Sequence, residues 1–338
     1  MLINAQKLKG CNALDRQDIR VVAMLNIVID GAIGAGKTEL VKSLVAEINR
    51  RNIRAKPVQF QHAGINIDWL VSAVWLACAT ACYLSSRPTQ VVIACLVTSL
   101  IEGVRCYCAA SSATRSAGAR TLHAVPVFEP VEQWLDSGAF ADYKKDPVKN
   151  AVKFQAYARS TRILEARRVH AAVAPADLAR TVFVHERCPV SDDIFMELHR
   201  GEVPDVDMVI YDSWRESFAP AYPFNLATAT VLYLNPDLEV CMQRLTARAR
   251  IGEVVDVKKE DSVGVSAEYQ GRLRRAHEAL LLGKYASEFP QLAGREPPYP
   301  RESVIVIPST VANLNFRDPG PERDRVLDAL LTLVIARF

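Results

Sequence analysis

Apolar positions along this chain recur with two periods. A β-rich run that starts near Val21 and includes Ile27, Val28 and Ile29 predicts a buried strand. Leu40, Leu44, Val45 and Ile48 then fall at helical spacing. The pattern repeats downstream. Short apolar runs at 52–60, 125–129, 181–188, 229–236 and 303–309 predict strands, and longer stretches around 146–172, 238–250, 266–289 and 323–338 predict helices. Strands alternating with helices predict an α/β fold, a parallel β-sheet flanked by helices on both faces.

One stretch breaks the pattern. Trp69 to Ser86 and Pro88 to Ile101 are uncharged runs rich in Ala, Val, Leu and Cys, separated by Arg87. Each falls short of the roughly 20 residues a membrane helix needs. A basic segment at 111–120, SSATRSAGAR, reads as a flexible linker.

The first strand runs into Gly31-Ala32-Ile33-Gly34-Ala35-Gly36-Lys37-Thr38, which fits GxxxxGK[ST] between a strand and a helix. The glycines let backbone N–H groups turn inward around phosphate oxygens, and the helix N-terminus adds its partial positive charge. Lys37 can reach the outer phosphates, and the Thr38 hydroxyl can ligate Mg²⁺. The motif names a nucleoside triphosphate, ATP or another NTP, but not the group it acts on.

Composition adds bounds. The 338 residues allow one large domain or two small ones, and half of them are hydrophobic, enough for a sizeable core. A formal charge of +3 gives no reason to expect a nucleic-acid partner. Of eight cysteines, Cys78, Cys82, Cys95, Cys106 and Cys108 crowd together without metal-ligand spacing, so reduced thiols are expected and no zinc site. The first 20 residues lack an apolar signal core and read as a disordered extension ahead of a single domain from 21 to 338.

Further along, four features line up at the carboxyl ends of the strands, where a parallel sheet presents its ligand crevice. They are Glu129 in EPVEQW, FQAY at 154–157, Glu186-Arg187, and the arginines Arg244, Arg248 and Arg250. Arg244 and Arg248, four apart, share a helical face. With the glycine loop, EPVEQW at 129–134, KDPVKNAVKFQAY at 145–157, ER at 186–187 and YLNPDLEVCMQRLTARAR at 233–250, the sequence resembles the deoxyribonucleoside kinases, of the deoxycytidine/deoxyguanosine kinase-like branch.

That resemblance implies a P-loop kinase fold with a lid helix region. It implies Glu129 as the base that takes the proton of a sugar 5′-hydroxyl, Arg187 holding Glu129 and touching the reacting oxygens, and Glu186 helping to hold Mg²⁺. Arg244, Arg248 and Arg250 become a lid over the phosphates. Glu253, with Tyr143 as companion, is placed on the sugar 3′-hydroxyl. Gln155 reads the base, Phe154 stacks on it, and Trp134 joins the substrate pocket. Arg162 and Asp192 stand where the family marks a preference for deoxycytidine, deoxyadenosine and deoxyguanosine over thymidine. The family also implies nucleotide salvage, a homodimer and no membrane partner. A cytoplasmic location is expected, with mitochondrial and nuclear locations open. Two rivals stand beside this reading: a thymidylate-type monophosphate kinase, and a non-catalytic nucleotide-binding protein tethered to a membrane.

Against the family pattern, Glu129 comes far too late after the glycine loop. Removing 59–127 joins NIRAKPV to FEPVEQW as one strand, and Pro-Val precedes both junctions. The interruption reads in three ways: a helical-hairpin insert, a membrane-associating hairpin, or a translated non-coding segment.

Overall fold

The computed structural model describes residues 25–51, 53, 121–248, 265–294 and 299–335. The apolar runs, the linker, the N-terminal extension, Arg250 and Glu253 lie outside the described residues. The chain divides into two units, residues 1–52 with 122–338, and residues 53–121. All the described helices and strands belong to the first.

Five strands form one parallel sheet: β1 (Leu25–Gly31), β2 (His123–Val127), β3 (Thr181–Glu186), β4 (Thr230–Leu234) and β5 (Val304–Ile307), in the order β2-β3-β1-β4-β5. β1 pairs with β3 through Ile27↔Val184 and Ile29↔Glu186, and with β4 through Gly31↔Leu234. The inner strands are buried on both faces, which is why they read as continuous apolar runs and not as alternating ones. β2 is made of His123–Val127, residues at the C-terminal end of the segment set apart in the sequence as an interruption. Its Pro126 fits because β2 is an edge strand with β3 as its one neighbour in the sheet.

The helices, in chain order, are α1 (Lys37–Arg51), α2 (Val131–Asp136), α3 (Ala139–Lys145), α4 (Pro147–Ala171), α5 (Pro189–Glu197), α6 (Asp205–Phe218), α7 (Leu238–Arg248), α8 (Ala267–Leu282), α9 (Pro290–Ala293), α10 (Ser309–Ala312) and α11 (Pro321–Ile335). EPVEQW thus turns into helix immediately after Pro130. α4 starts where its sequence demands: the Asp146 side chain accepts from the Lys149 N–H and Pro147 takes the first helical position. α8 starts at Ser266, which caps the Tyr269 N–H, and stops at Gly283 in the left-handed region.

Two apolar clusters carry most of the packing around the site. Val28, Val231 and Tyr233 of the sheet pack with Ile194 of α5 and Leu273, Ala276 and Leu280 of α8. Trp134, Tyr143 and Phe154 pack with Met196, Met208 and Tyr211, so α2, α3, α4, α5 and α6 share one core. Among the described residues no helix is long and apolar enough to cross a membrane.

Candidate active site

The glycine loop closes between β1 and α1 because two of its residues have no side chain to place. Gly34 has φ +78°, and a Cβ there would come within 2.5 Å of the Cys241 carbonyl oxygen. Gly31, at φ +147°, would set a Cβ 2.5 Å from the Leu234 carbonyl oxygen. Lys37 is buried, and its Nζ donates to the carbonyls of Ala32 (3.0 Å) and Gly31 (3.3 Å). Burial, with the Arg187 charge behind it, lowers its ammonium to about 8 against the pull of Glu129, Glu186 and Asp30.

Thr38 Oγ1 donates to Glu186 Oε1 at 2.5 Å, so the P-loop threonine and the end of β3 meet directly. Burial and the neighbouring Glu129 charge push the Glu186 carboxyl up, against Lys37, Thr38 and Arg187. A hydroxyl beside a carboxylate that lacks enough positive charge is an oxygen donor set suited to a hard divalent cation.

Arg187 follows β3 in the left-handed region, φ 65°, a conformation that costs on the order of 1–3 kcal/mol for a residue with a side chain. Its own N–H is anchored on the Ile29 carbonyl at 2.9 Å. The guanidinium reaches two acids: Nη1 lies 3.0 Å from Asp30 Oδ1, and Nε lies 3.3 Å from Glu129 Oε1. Asp30 is buried beneath the loop and also accepts from the Gly31 N–H and the Ser191 hydroxyl. Burial pushes its carboxyl up, but His277, Arg187 and Ser191 outweigh that and hold it well below the usual range.

Glu129 receives a second cation. Arg162 Nη2 on α4 donates to Glu129 Oε1 at 2.6 Å, and Arg162 Nη1 pairs with Asp192 Oδ1 on α5. Burial raises the Glu129 carboxyl, but Arg187, Arg162 and Lys37 together outweigh it and keep it below its ordinary value. Glu129 is therefore ionised at neutral pH. Asp192 differs: burial pushes it up to about 6 in spite of Arg162 and Arg159. Its Oδ2 is buried and has no hydrogen-bond partner among the described residues.

These groups surround one cavity of about 230 Å³. Lys37, Thr38, Glu186 and Arg248 line it, together with Glu129, Arg187, Gln155, Arg162 and Asp192. Trp134, Tyr143, Phe154 and Phe195 supply aromatic walls. Among the described residues the Gln155 amide makes no hydrogen bond, although the residue is 2% exposed. Phe154 stacks on Tyr143 (4.7 Å between centroids) and meets Trp134 edge-on (5.8 Å). The Tyr143 hydroxyl is paired with His199 Nε2 at 2.8 Å.

The family model for deoxynucleoside kinases matches residues 119–320, more than half of the chain. The chain belongs to the deoxynucleoside kinase family. The matched interval begins beyond the glycine loop, which stands on its own motif and on the strand and helix that flank it. No curated protein matches the chain.

In this deoxynucleoside kinase the five-stranded parallel sheet and its flanking helices are those of a P-loop kinase. The fold brings Glu129 from beyond β2, Gln155 and Arg162 from α4, Glu186 and Arg187 from the end of β3, and Asp192 from α5 to the cavity of the glycine loop. Arg244 departs from its expected place over the phosphates. Its guanidinium is spent on four carbonyls, of Ala35 (3.0 Å), Ala312 (3.1 Å), Asn313 (2.9 Å) and Leu314 (2.8 Å), bracing the P-loop against the end of α10. Arg248, one turn on, does reach the cavity. The sequence reading missed Asp30, Phe140 and Tyr269. Asp30 carried a signal, a carboxylate at the end of a buried strand next to the first loop glycine. Tyr269 and Phe140 carried none, since each sits on an ordinary helical surface until α8 and α3 are docked.

Proposed function

We propose that the chain transfers the γ-phosphoryl group of ATP to the 5′-hydroxyl of a deoxyribonucleoside, favouring deoxycytidine, deoxyadenosine and deoxyguanosine over thymidine, in nucleotide salvage. The observation that carries this reading is Glu129: an ionised carboxylate held by two arginines on the wall of the cavity that the P-loop lysine and threonine also line. A carboxylate so placed can take the hydroxyl proton as the oxygen forms its bond to phosphorus. The bond from phosphorus to the bridging oxygen breaks, and its electron pair leaves with the nucleoside diphosphate. Lys37 and Arg187 supply positive charge where the reacting oxygens gain negative charge. Thr38 and Glu186 fit a magnesium ion, which when bound neutralises phosphate charge.

The base preference rests on Gln155 and Asp192. A glutamine amide offers both a donor and an acceptor, and the unpartnered Asp192 Oδ2 is an acceptor for an exocyclic amino group. Cytosine, adenine and guanine carry such an amino group; thymine carries a carbonyl and a methyl instead. Purified protein should therefore give a higher kcat/KM with deoxycytidine or deoxyguanosine than with thymidine. A clear thymidine preference would refute the base assignment, and phosphorylation of monophosphates in place of nucleosides would refute the reaction.

A further inference from the structure

The interruption repeats the strand it interrupts. Residues 52–58 read NIRAKPV and residues 121–127 read TLHAVPV, sixty-nine positions apart. Leu122 just before β2, and Ala124 and Val127 within it, are buried, and His123 is exposed. Their counterparts are Ile53, Ala55 and Val58, all apolar, and the charged Arg54. Pro57 matches Pro126. The partly buried Val125 is matched by Lys56, whose aliphatic stem can cover the same edge while its ammonium reaches water.

The proline fixes the phase of this match. Asn49 of α1 holds the backbone of Ala124 from the side away from β3: the Ala124 N–H donates to Oδ1 at 2.7 Å, and Nδ2 donates to the Ala124 carbonyl at 3.1 Å. Two residues on, Pro126 has the same orientation, so its missing N–H costs no bond to β3. In NIRAKPV, Ala55 and Pro57 stand in the same relation, and the groups that Asn49 holds are backbone groups that any residue but proline provides.

A second observation agrees. The boundaries between the two units fall after Asn52 and before Leu122, so the second unit is sixty-nine residues long, the same as the offset. Joining Asn52 to Leu122 leaves only those two residues between the end of α1 and the start of β2, an ordinary length for such a connection. Removing 53–121 and removing 59–127 give chains of equal length that differ only in Ile53–Val58 against Leu122–Val127.

We propose that residues 53–58 are a second β2 segment that fits the slot beside β3, and that the 69 residues 59–127 interrupt a domain that is complete without them.

The test compares the full chain with three shortened ones, lacking 53–121, 59–127, or 58–127. Thermal unfolding is followed with and without Mg²⁺ and a non-hydrolysable ATP analogue. The first two should unfold cooperatively within about 5 °C of each other, with midpoints raised by the nucleotide. The third is one residue short, so either the β2 side chains turn to the wrong face or Glu129 is drawn out of register with Arg162 and Arg187, and it should fail to fold or melt well below them. Within the chain lacking 59–127, Ala55→Asp should lower the midpoint sharply and Arg54→Asp should not. The inference is overturned if the chain lacking 59–127 does not fold, if the one-residue-short chain is its equal, or if the two substitutions act alike. Phosphotransfer is a separate readout that rests on the proposed function: folded, nucleotide-protected chains that phosphorylate no nucleoside would count against that function and leave the strand assignment standing.

Discussion

Arg162 holds Glu129 and Asp192 at once, donating to Glu129 Oε1 at 2.6 Å through one nitrogen and pairing with Asp192 through the other. The residue expected at the base is thus also bonded to the residue expected at the sugar hydroxyl. A change that alters base recognition should therefore be felt in the chemical step as well.

Replacing Glu129 with Gln keeps shape and removes the base. The expected result is a fall in kcat of roughly 10²–10⁴-fold with nucleotide affinity largely kept, measured by steady-state kinetics beside equilibrium binding of ATP. Unchanged kcat would remove Glu129 from the chemistry.

The pH profile should report the arginines. As the proposed base, Glu129 would work deprotonated, so activity should be lost as pH falls through its pKa. Burial raises that pKa, and Arg187, Arg162 and Lys37 bring it below the ordinary carboxylate value, so the acid limb of kcat/KM should lie below pH 4.5. Arg162→Gln removes one of those charges and should move the limb to higher pH. A limb that stays in place would mean that another group governs it.

Asp192 should give a stability signature of opposite sign. Its pKa rises from 3.8 to about 6 on folding, so the folded state binds the extra proton between those values. The contribution of this group is full below about pH 4 and is lost as pH rises through 6. Asp192→Asn lacks that loss, so its stability relative to the unsubstituted chain should increase across that window. Denaturant unfolding at pH 4, 5 and 6 measures this, and the same variant should narrow the gap between deoxycytidine and thymidine.

Arg244→Ala separates bracing from catalysis. Losing four bonds to carbonyls should cost about 1–3 kcal/mol of stability and raise the KM for ATP, with a smaller change in kcat. A large fall in kcat with unchanged stability would return Arg244 to the phosphates.

Much of this arrangement was legible because parallel sheets gather strand ends on one edge. Glu129 and Glu186-Arg187 could be assigned to the crevice of the glycine loop from strand ends alone, and α4 carries Gln155 and Arg162 on one face, seven residues apart. What the sequence did not yield depends on reach across elements. Arg162 meets Glu129, 33 residues away, only once α4 is docked, and Arg244 turns to carbonyls at 312–314 that come from near the other end of the chain. Helical periodicity placed Arg244 and Arg248 together, yet one faces the back of the P-loop and the other the cavity. The start of α2 directly after Pro130 was hidden because six residues are too few for a period to show.

The sheet order has one more consequence. Glu129 hangs from the end of β2, Glu186 and Arg187 from β3, and the glycine loop from β1, three neighbours in succession. Strands lie about 4.8 Å apart, so β2, which leads to Glu129, and β1, which leads to the glycine loop, run about two strand widths apart, on the order of 10 Å. That interval is set by backbone hydrogen bonds and by no side chain. The cavity walls on α4 and α5 can vary in their other side chains without altering that strand spacing, while Arg162 ties the two walls to Glu129.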